Sequence, residues 1–246
     1  MLGMLLRQFQ ALMHRVIEYT KAEYRYAKMP EIDPRQYATV ARECRRSGRL
    51  IQAALYYDAA ASGWFAATWK PSTEPAESHD HPNIKFVNFA GWLRDQFASA
   101  LCFRLADAHQ RCRARCRRGI LLLEDLRDGD ELTEYGTTAH RGLFNEVIGD
   151  LRVVGDMDAS DAAYAAAGEQ YATITNDLGW QAEHEFCLAI QPFLELADSV
   201  GYDIDKPTRK QIKHTSLDER IAYKRQHYSD IIDAVLDAGN WESDAF

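Results

Sequence analysis

The 246-residue chain reads as an all-α protein built from antiparallel helical hairpins. Three observations lead there. Apolar residues recur three and four apart along nearly every segment, the period of a helix with one buried face, and no stretch demands the alternation of a half-buried strand. Pro, Gly and small polar residues fall between those segments rather than inside them. Hydrophobic residues make up 46% and charged residues 27%, enough apolar material at this length for one large core or two small ones.

Taken in order, Leu2, Leu5, Phe9, Leu12, Met13, Val16 and Ile17 predict an amphipathic helix running to Met29. Membrane-surface helices carry several Lys or Arg on the polar face. Arg7, Arg15 and Lys21 are sparse for that, so core packing or a dimer contact is expected. Pro30 and Pro34 end this helix and open the next, since proline is tolerated in a first turn and not mid-helix. A hairpin follows, from Pro34 to about Arg46, a Ser47-Gly48 turn, then Leu50 to about Trp69. Its second arm is dense in alanine (Ala53, Ala54, Ala59, Ala60, Ala61), which favours helix and close helix approach.

Residues 70–83 form the clearest linker, with Pro71, Pro75 and Pro82 among Ser, Thr, Glu and His, and mark a sub-boundary within a single domain over 1–246. From Ile84, the stripe Phe86, Ala90, Leu93, Phe97, Leu101, Leu105, Ala108 and Cys112 carries helical character on to Leu126. A break near His109 or Gly119 is expected, because an unbroken helix of that length belongs to coiled coils. After a polar turn over Asp128–Gly136, a second clear hairpin spans about Arg141 to Val154, a Gly155-Asp156 turn, and Ala159 to Ile174. Asn176 or Asp177 caps a helix from Leu178 to Val200, kinked at Pro192. Ser216 and Glu219 make a capping box for a last helix to about Ala238. Residues 239–246 read as a short acidic tail.

The two clear hairpins share a scheme. The first sets Tyr37, Val40, Ala41 and Cys44 against Leu50, Ala53, Tyr57 and Ala60 across Gly48. The second sets Phe144, Val147, Ile148 and Leu151 against Ser160, Tyr164 and Ala167 across Gly155. A small residue, Ala53 or Ser160, lets the arms approach, and Tyr57 or Tyr164 fills the space beside it. This spacing is similar to the tetratricopeptide repeat, over about 60 residues, and the 107-residue offset from Tyr37 to Phe144 is close to three units of about 34 residues. Ile148 departs from the pattern, standing where that family prefers a small residue. The resemblance implies either a solenoid of the tetratricopeptide kind or an irregular helical bundle, with a groove for protein segments and no chemistry of its own.

Net charge is −8, with Arg far exceeding Lys, which disfavours general nucleic-acid binding. No apolar run approaches the roughly 20 residues that cross a bilayer, and the N-terminus lacks a signal-peptide pattern. A cytoplasmic location is expected. The five cysteines, Cys44, Cys102, Cys112, Cys116 and Cys187, sit in apolar helical patterns and are expected to be reduced thiols.

Candidate site residues concentrate after the linker. Projected on one helix, Arg104, Arg111, Arg115 and Arg118 share a sector of about 60°, while Arg113 and Arg117 point elsewhere. This basic stripe in an acidic chain suits an acidic partner segment. Trp64 and Trp69 are candidate groove anchors. His109, Cys112 and Cys116 also share a face, but Cys102 lies too far along the helix to complete a four-ligand zinc site, so buried cysteines are expected. His79-Asp80-His81 in the linker lacks the supporting shell of a metal site. Arg and His separated by four to six residues resemble the HEPN ribonuclease signature, at Arg104–His109, Arg209–His214 and Arg220–His227. At this Arg and His content such spacings arise by chance about as often as they occur here.

These readings predict a non-enzymatic adaptor or assembly subunit that binds a protein partner, or a second copy, through a groove between hairpins. It needs no cofactor or metal, and no catalytic set is assigned. The alternative is a HEPN-like all-α ribonuclease or RNA-binding protein.

Overall fold

A computed structural model of the chain describes residues 33–68, 82–128, 138–173, 190, 192–202 and 217–241, with the backbone alone at 67–68, 82–88, 138–139 and 217–218. The expected helix over 2–29, Trp69, the linker up to residue 81 and most of the helix expected over 178–200 lie outside them. The chain divides into Met1–Asp33 and Pro34–Phe246, and all the described helices belong to the second unit.

That unit is all-helical, with no strand among the described residues. Helices α1 (Pro34–Arg46) and α2 (Leu50–Thr68) form the first hairpin, α3 (Pro82–Leu105) and α4 (His109–Asp128) the second, α5 (Thr138–Val154) and α6 (Ser160–Ala172) the third. A short helix α7 (192–199) and a long α8 (Leu217–Ala238) complete the set. The 107-residue offset between the two hairpins read from sequence therefore spans two hairpin steps, not three, because the α3–α4 hairpin is longer than a 34-residue unit.

All three hairpins turn by the same device. Gly48 takes φ 74°, donating its N–H to the Arg45 carbonyl (2.9 Å) while Arg49 N–H reaches Cys44 O (2.8 Å). Asp107 (φ 56°) and Ala108 repeat this on Arg104 O and Phe103 O at 3.0 and 2.9 Å. Asp156 (φ 48°) and Met157 repeat it on Val153 O and Arg152 O at 3.1 and 2.9 Å. This double bond around a left-handed residue satisfies the last carbonyls of a helix. Glycine is the usual occupant, and aspartate tolerates the conformation better than most residues. The break in the long second segment thus falls at 106–108, immediately before His109, one of the two expected places, and Gly119 stays inside α4.

From α1 to α6, each helix packs antiparallel on the next. Trp64 meets Asp95 and Ala54 meets Ser99, so α2 and α3 run in opposite senses. Gln96 on α3 donates to the Arg115 carbonyl on α4 at 2.8 Å, and Arg127 on α4 to Asn145 on α5 at 2.8 Å. Along residues 91–103 every residue except Arg94 is buried, which makes α3 the centre of the core. The alanines of α2 (Ala53, Ala54, Ala60, Ala61) are fully buried, letting it approach α3 closely. Helix α8 lies alongside α5 and α6, burying Ile221, Tyr228, Ile231, Ile232 and Val235. Phe193 of α7 packs its ring edge-on to Tyr228 (centroids 5.2 Å). After α8, Gly239 (φ 70°) turns the chain and Trp241 is buried, so the core includes the first residues of what reads from sequence as a tail.

Candidate functional site

Helix α4 has two opposed faces. Cys112, Arg115, Cys116, Gly119, Ile120 and Leu123 are buried against α3 and α5. Arg111, Arg113, Arg117, Arg118, Leu121, Asp125 and Asp128 are exposed. Leu121 is 61% exposed, against 52% for Leu55, 38% for Tyr56 and 37% for Val40, the other exposed large apolar residues among the described ones. At 100° per residue it sits in the middle of the solvent-facing arc. On the exposed face the arginines lie in the first three turns and Asp125 and Asp128 in the last two, with Glu124 at its edge, while the half-buried Arg127 of the last turn bonds Asp128 and Asn145. A helix gains stability from acids at its N-terminus and bases at its C-terminus. The exposed face of α4 runs the other way.

The basic stripe expected from sequence does not survive as four exposed arginines. The projection assumed one helix through 104–118, and the turn at 106–108 breaks it. Arg104, on α3, turns inward, donating Nη1 to the Val153 and Val154 carbonyls (2.9 Å each) at the end of α5, with Asp233 at 3.8 Å. Arg115 is buried in an ion pair with Asp58 of α2. Arg111 and Arg118 are exposed as expected, and Arg113 and Arg117 join them. Trp64 is a core residue, its Nε1 donating to Asp95 Oδ2 at 2.9 Å. Burial pushes the Asp95 carboxyl upward, against the Arg94 guanidinium and the Trp64 N–H, which favour its charged form.

Neither Arg–His pair within the described residues converges. His109 is exposed on the far side of the turn from Arg104, its Nε2 2.8 Å from Asp107 Oδ1. His227 lies between the rings of Tyr223 and Tyr202 (centroids 4.8 and 6.1 Å), while Arg220 points into the core. Cys112 and Cys116 are buried side by side, and Cys112 Sγ lies 3.6 Å from Val154 O. Their mutual hydrogen bond lowers the Cys112 thiol and raises Cys116. His109 is on the outside of the same helix, and the described residues hold no cluster of three or more metal-ligating side chains.

The structure reveals a cluster that the sequence reading missed. Glu146 and Asp150 of α5 are buried, one turn apart, facing Arg220 and Lys224 of α8, also one turn apart. Lys224 Nζ bridges the carboxylates, 2.7 Å from Glu146 Oε1 and 2.6 Å from Asp150 Oδ2. Arg220 Nη2 reaches Glu146 Oε2 at 2.5 Å. From α6, Tyr171 OH donates to Glu146 Oε2 and Tyr164 OH to Asp150 Oδ1, each at 2.7 Å. The tyrosine rings approach α5 closely because Gly142 and Gly149 have no Cβ; at Gly149 a Cβ would stand 2.6 Å from the Tyr164 ring.

The formal charges of this cluster cancel, and every member is buried. Burial drives the Glu146 carboxyl upward, but the Arg220 and Lys224 charges outweigh it and hold Glu146 at about 2. At Asp150 burial wins over Lys224, and the neighbouring Glu146 charge adds to it, raising Asp150 to about 6. With no exposed member to meet a substrate, the cluster ties α8 to the α5–α6 hairpin by a pattern of polar groups that only one register satisfies. A heptad match of Gly142/Gly149 with Tyr164/Tyr171, beside a Glu-x-x-x-Asp in an apolar helix, is the sequence signal that marks it.

No protein-family model, curated protein or solved structure matches the chain. No helix among the described residues is long and apolar enough to cross a membrane.

Proposed function

We propose that the chain is a non-enzymatic assembly subunit that docks a protein through the solvent-facing side of α4. One observation carries the reading: a half-basic, half-acidic helix face, charged against its own dipole, with a 61% exposed leucine at its centre. Such a layout costs the isolated helix a few tenths of a kcal/mol per charge, a cost that an interface with opposite charge offsets. The four exposed arginines, Arg111, Arg113, Arg117 and Arg118, favour carboxylates on the partner, and Arg113 already meets Asp156 at 2.9 Å. The net charge of −8 weighs against nucleic acid as that partner.

The test is affinity purification of the tagged chain from its native host, with mass spectrometry of what comes with it. The expected result is a stoichiometric protein, another chain or the untagged copy. It is lost from the Arg117→Glu/Arg118→Glu protein while the circular dichroism spectrum stays unchanged. Recovery of the tagged chain alone, or with RNA only, overturns the proposal.

A further inference from the structure

The exposed face of α4 is complementary to itself. Around Leu121, at 100° per residue, Arg118 and Asp125 fall on one flank and Arg117 and Glu124 on the other. The arginines lie about one turn before Leu121 and the carboxylates about one turn after it. A two-fold axis beside Leu121, perpendicular to the helix, reverses the order of the residues and keeps each flank on its own side. Two antiparallel copies of α4 then set Arg118 beside Asp125 of the second copy and Arg117 beside its Glu124, each pair made twice. Leu121 meets Leu121 of the second copy at the axis, and the small Ala114 leaves room two turns away for the helices to approach.

Resting on the α4 docking reading, we infer that the partner is a second copy of this chain, joined through an antiparallel α4–α4 pair centred on Leu121. A parallel pairing would set arginine against arginine and acid against acid, so the charge order also selects the direction. The layout that opposes the helix dipole within one copy is favourable across the pair, because each basic half lies beside the carboxylates of the other copy. Exposed ion pairs are individually weak and screened, so the dimer is weak and salt-sensitive.

Analytical ultracentrifugation of the full chain tests this with two charge variants. Arg117→Glu/Arg118→Glu makes both flanks of Leu121 acidic, and Glu124→Arg/Asp125→Arg makes both basic. The wild type is expected to dimerise reversibly at low salt and to weaken about tenfold or more near 1 M salt, where the Debye length is about 3 Å. Each variant alone is expected to be monomeric, and an equimolar mixture of the two to dimerise again. A monomeric wild type, dimers that persist in both single variants, or a mixture that stays monomeric would each overturn the inference. If the wild type is monomeric while the host purification still yields a different protein that depends on Arg117 and Arg118, docking through α4 stands and self-pairing alone fails.

Discussion

The Arg45 guanidinium lies 4.3 Å from the centroid of the Trp241 ring, and the same side chain donates to the Trp241 carbonyl and, at 3.3 Å, to Asn240 Oδ1. These partners are 196 residues apart in sequence, and both side chains are buried. The chain beyond α8 is thus fastened to the last turn of α1. Beside them Tyr57 is buried, and burial raises its hydroxyl to about 12 despite the Arg45 charge. A cation–aromatic contact taken out of water is worth about 2 kcal/mol, and the buried indole adds its own packing.

Trp241→Ala is therefore expected to cost about 3–5 kcal/mol, since it leaves a cavity and strips the aromatic face from a buried arginine. Trp241→Phe keeps a ring over the guanidinium and is expected to cost less than half as much. Urea unfolding of the two variants checks this. A loss under about 1 kcal/mol for the alanine variant would show that residues after α8 are not part of the core.

Much of the fold is legible in local chemistry. Pro34, the Gly48 turn and the alanine run place α1 and α2 to within a residue of their observed ends, because the signals that stop and start helices lie within a few positions of those ends. The turn at 106–108 falls beside the expected His109, although its left-handed residue is Asp107 where a glycine usually announces such a turn. Trp241 reads as tail because a lone aromatic after a glycine has no period to assign it. The polar core is the least legible part. Glu146 and Asp150 are acceptable inside an apolar helix only because Arg220 and Lys224, 74 residues on, arrive opposite them. The stripe on α4 was half legible: the residue types were right, but the helical phase carried over from α3 was not.

Glu146 is the hub of that polar core, touching Lys224, Arg220 and Tyr171. Glu146→Gln leaves two buried cations facing the single carboxylate of Asp150, and a cost of about 3–5 kcal/mol is expected. Replacing Glu146 and Arg220 together by leucine removes both the charge and its counter-charge. The double variant is expected to be more stable than the Glu146→Leu single variant. A double-mutant cycle by chemical unfolding measures the coupling, and additive losses would show that the pair is not energetically linked.

The close approach of Tyr164 to α5 makes a separate demand. An alanine at position 149 would place its Cβ 2.6 Å from the Tyr164 ring, and neither the ring nor the helix backbone behind it yields cheaply. Gly149→Ala is expected to destabilise by about 1–3 kcal/mol, although alanine is the better helix former by about 1 kcal/mol at an open site. Gly168, with nothing near its missing Cβ, is the control: Gly168→Ala is expected to stabilise. Thermal unfolding of the two variants should shift in opposite directions.

The two buried carboxylates give stability opposite dependences on pH. Glu146 is held at about 2 in the fold against an ordinary 4.5, so the unfolded chain binds the proton first. Its contribution is present above about 4.5 and is lost as pH falls toward 2. Asp150 is raised to about 6 from an ordinary 3.8, so between those values the native state holds a proton that the unfolded chain has released. Its contribution is present at about pH 4 and is lost as pH rises through 6. Asp150→Asn removes the second limb alone. The stability of the wild type relative to this variant is expected to fall between about pH 4 and 6 and to level off above, as measured by urea unfolding at several pH values. A difference that stays flat across that window would mean that Asp150 ionises in the fold as it does in the unfolded chain, with Lys224 fully offsetting its burial.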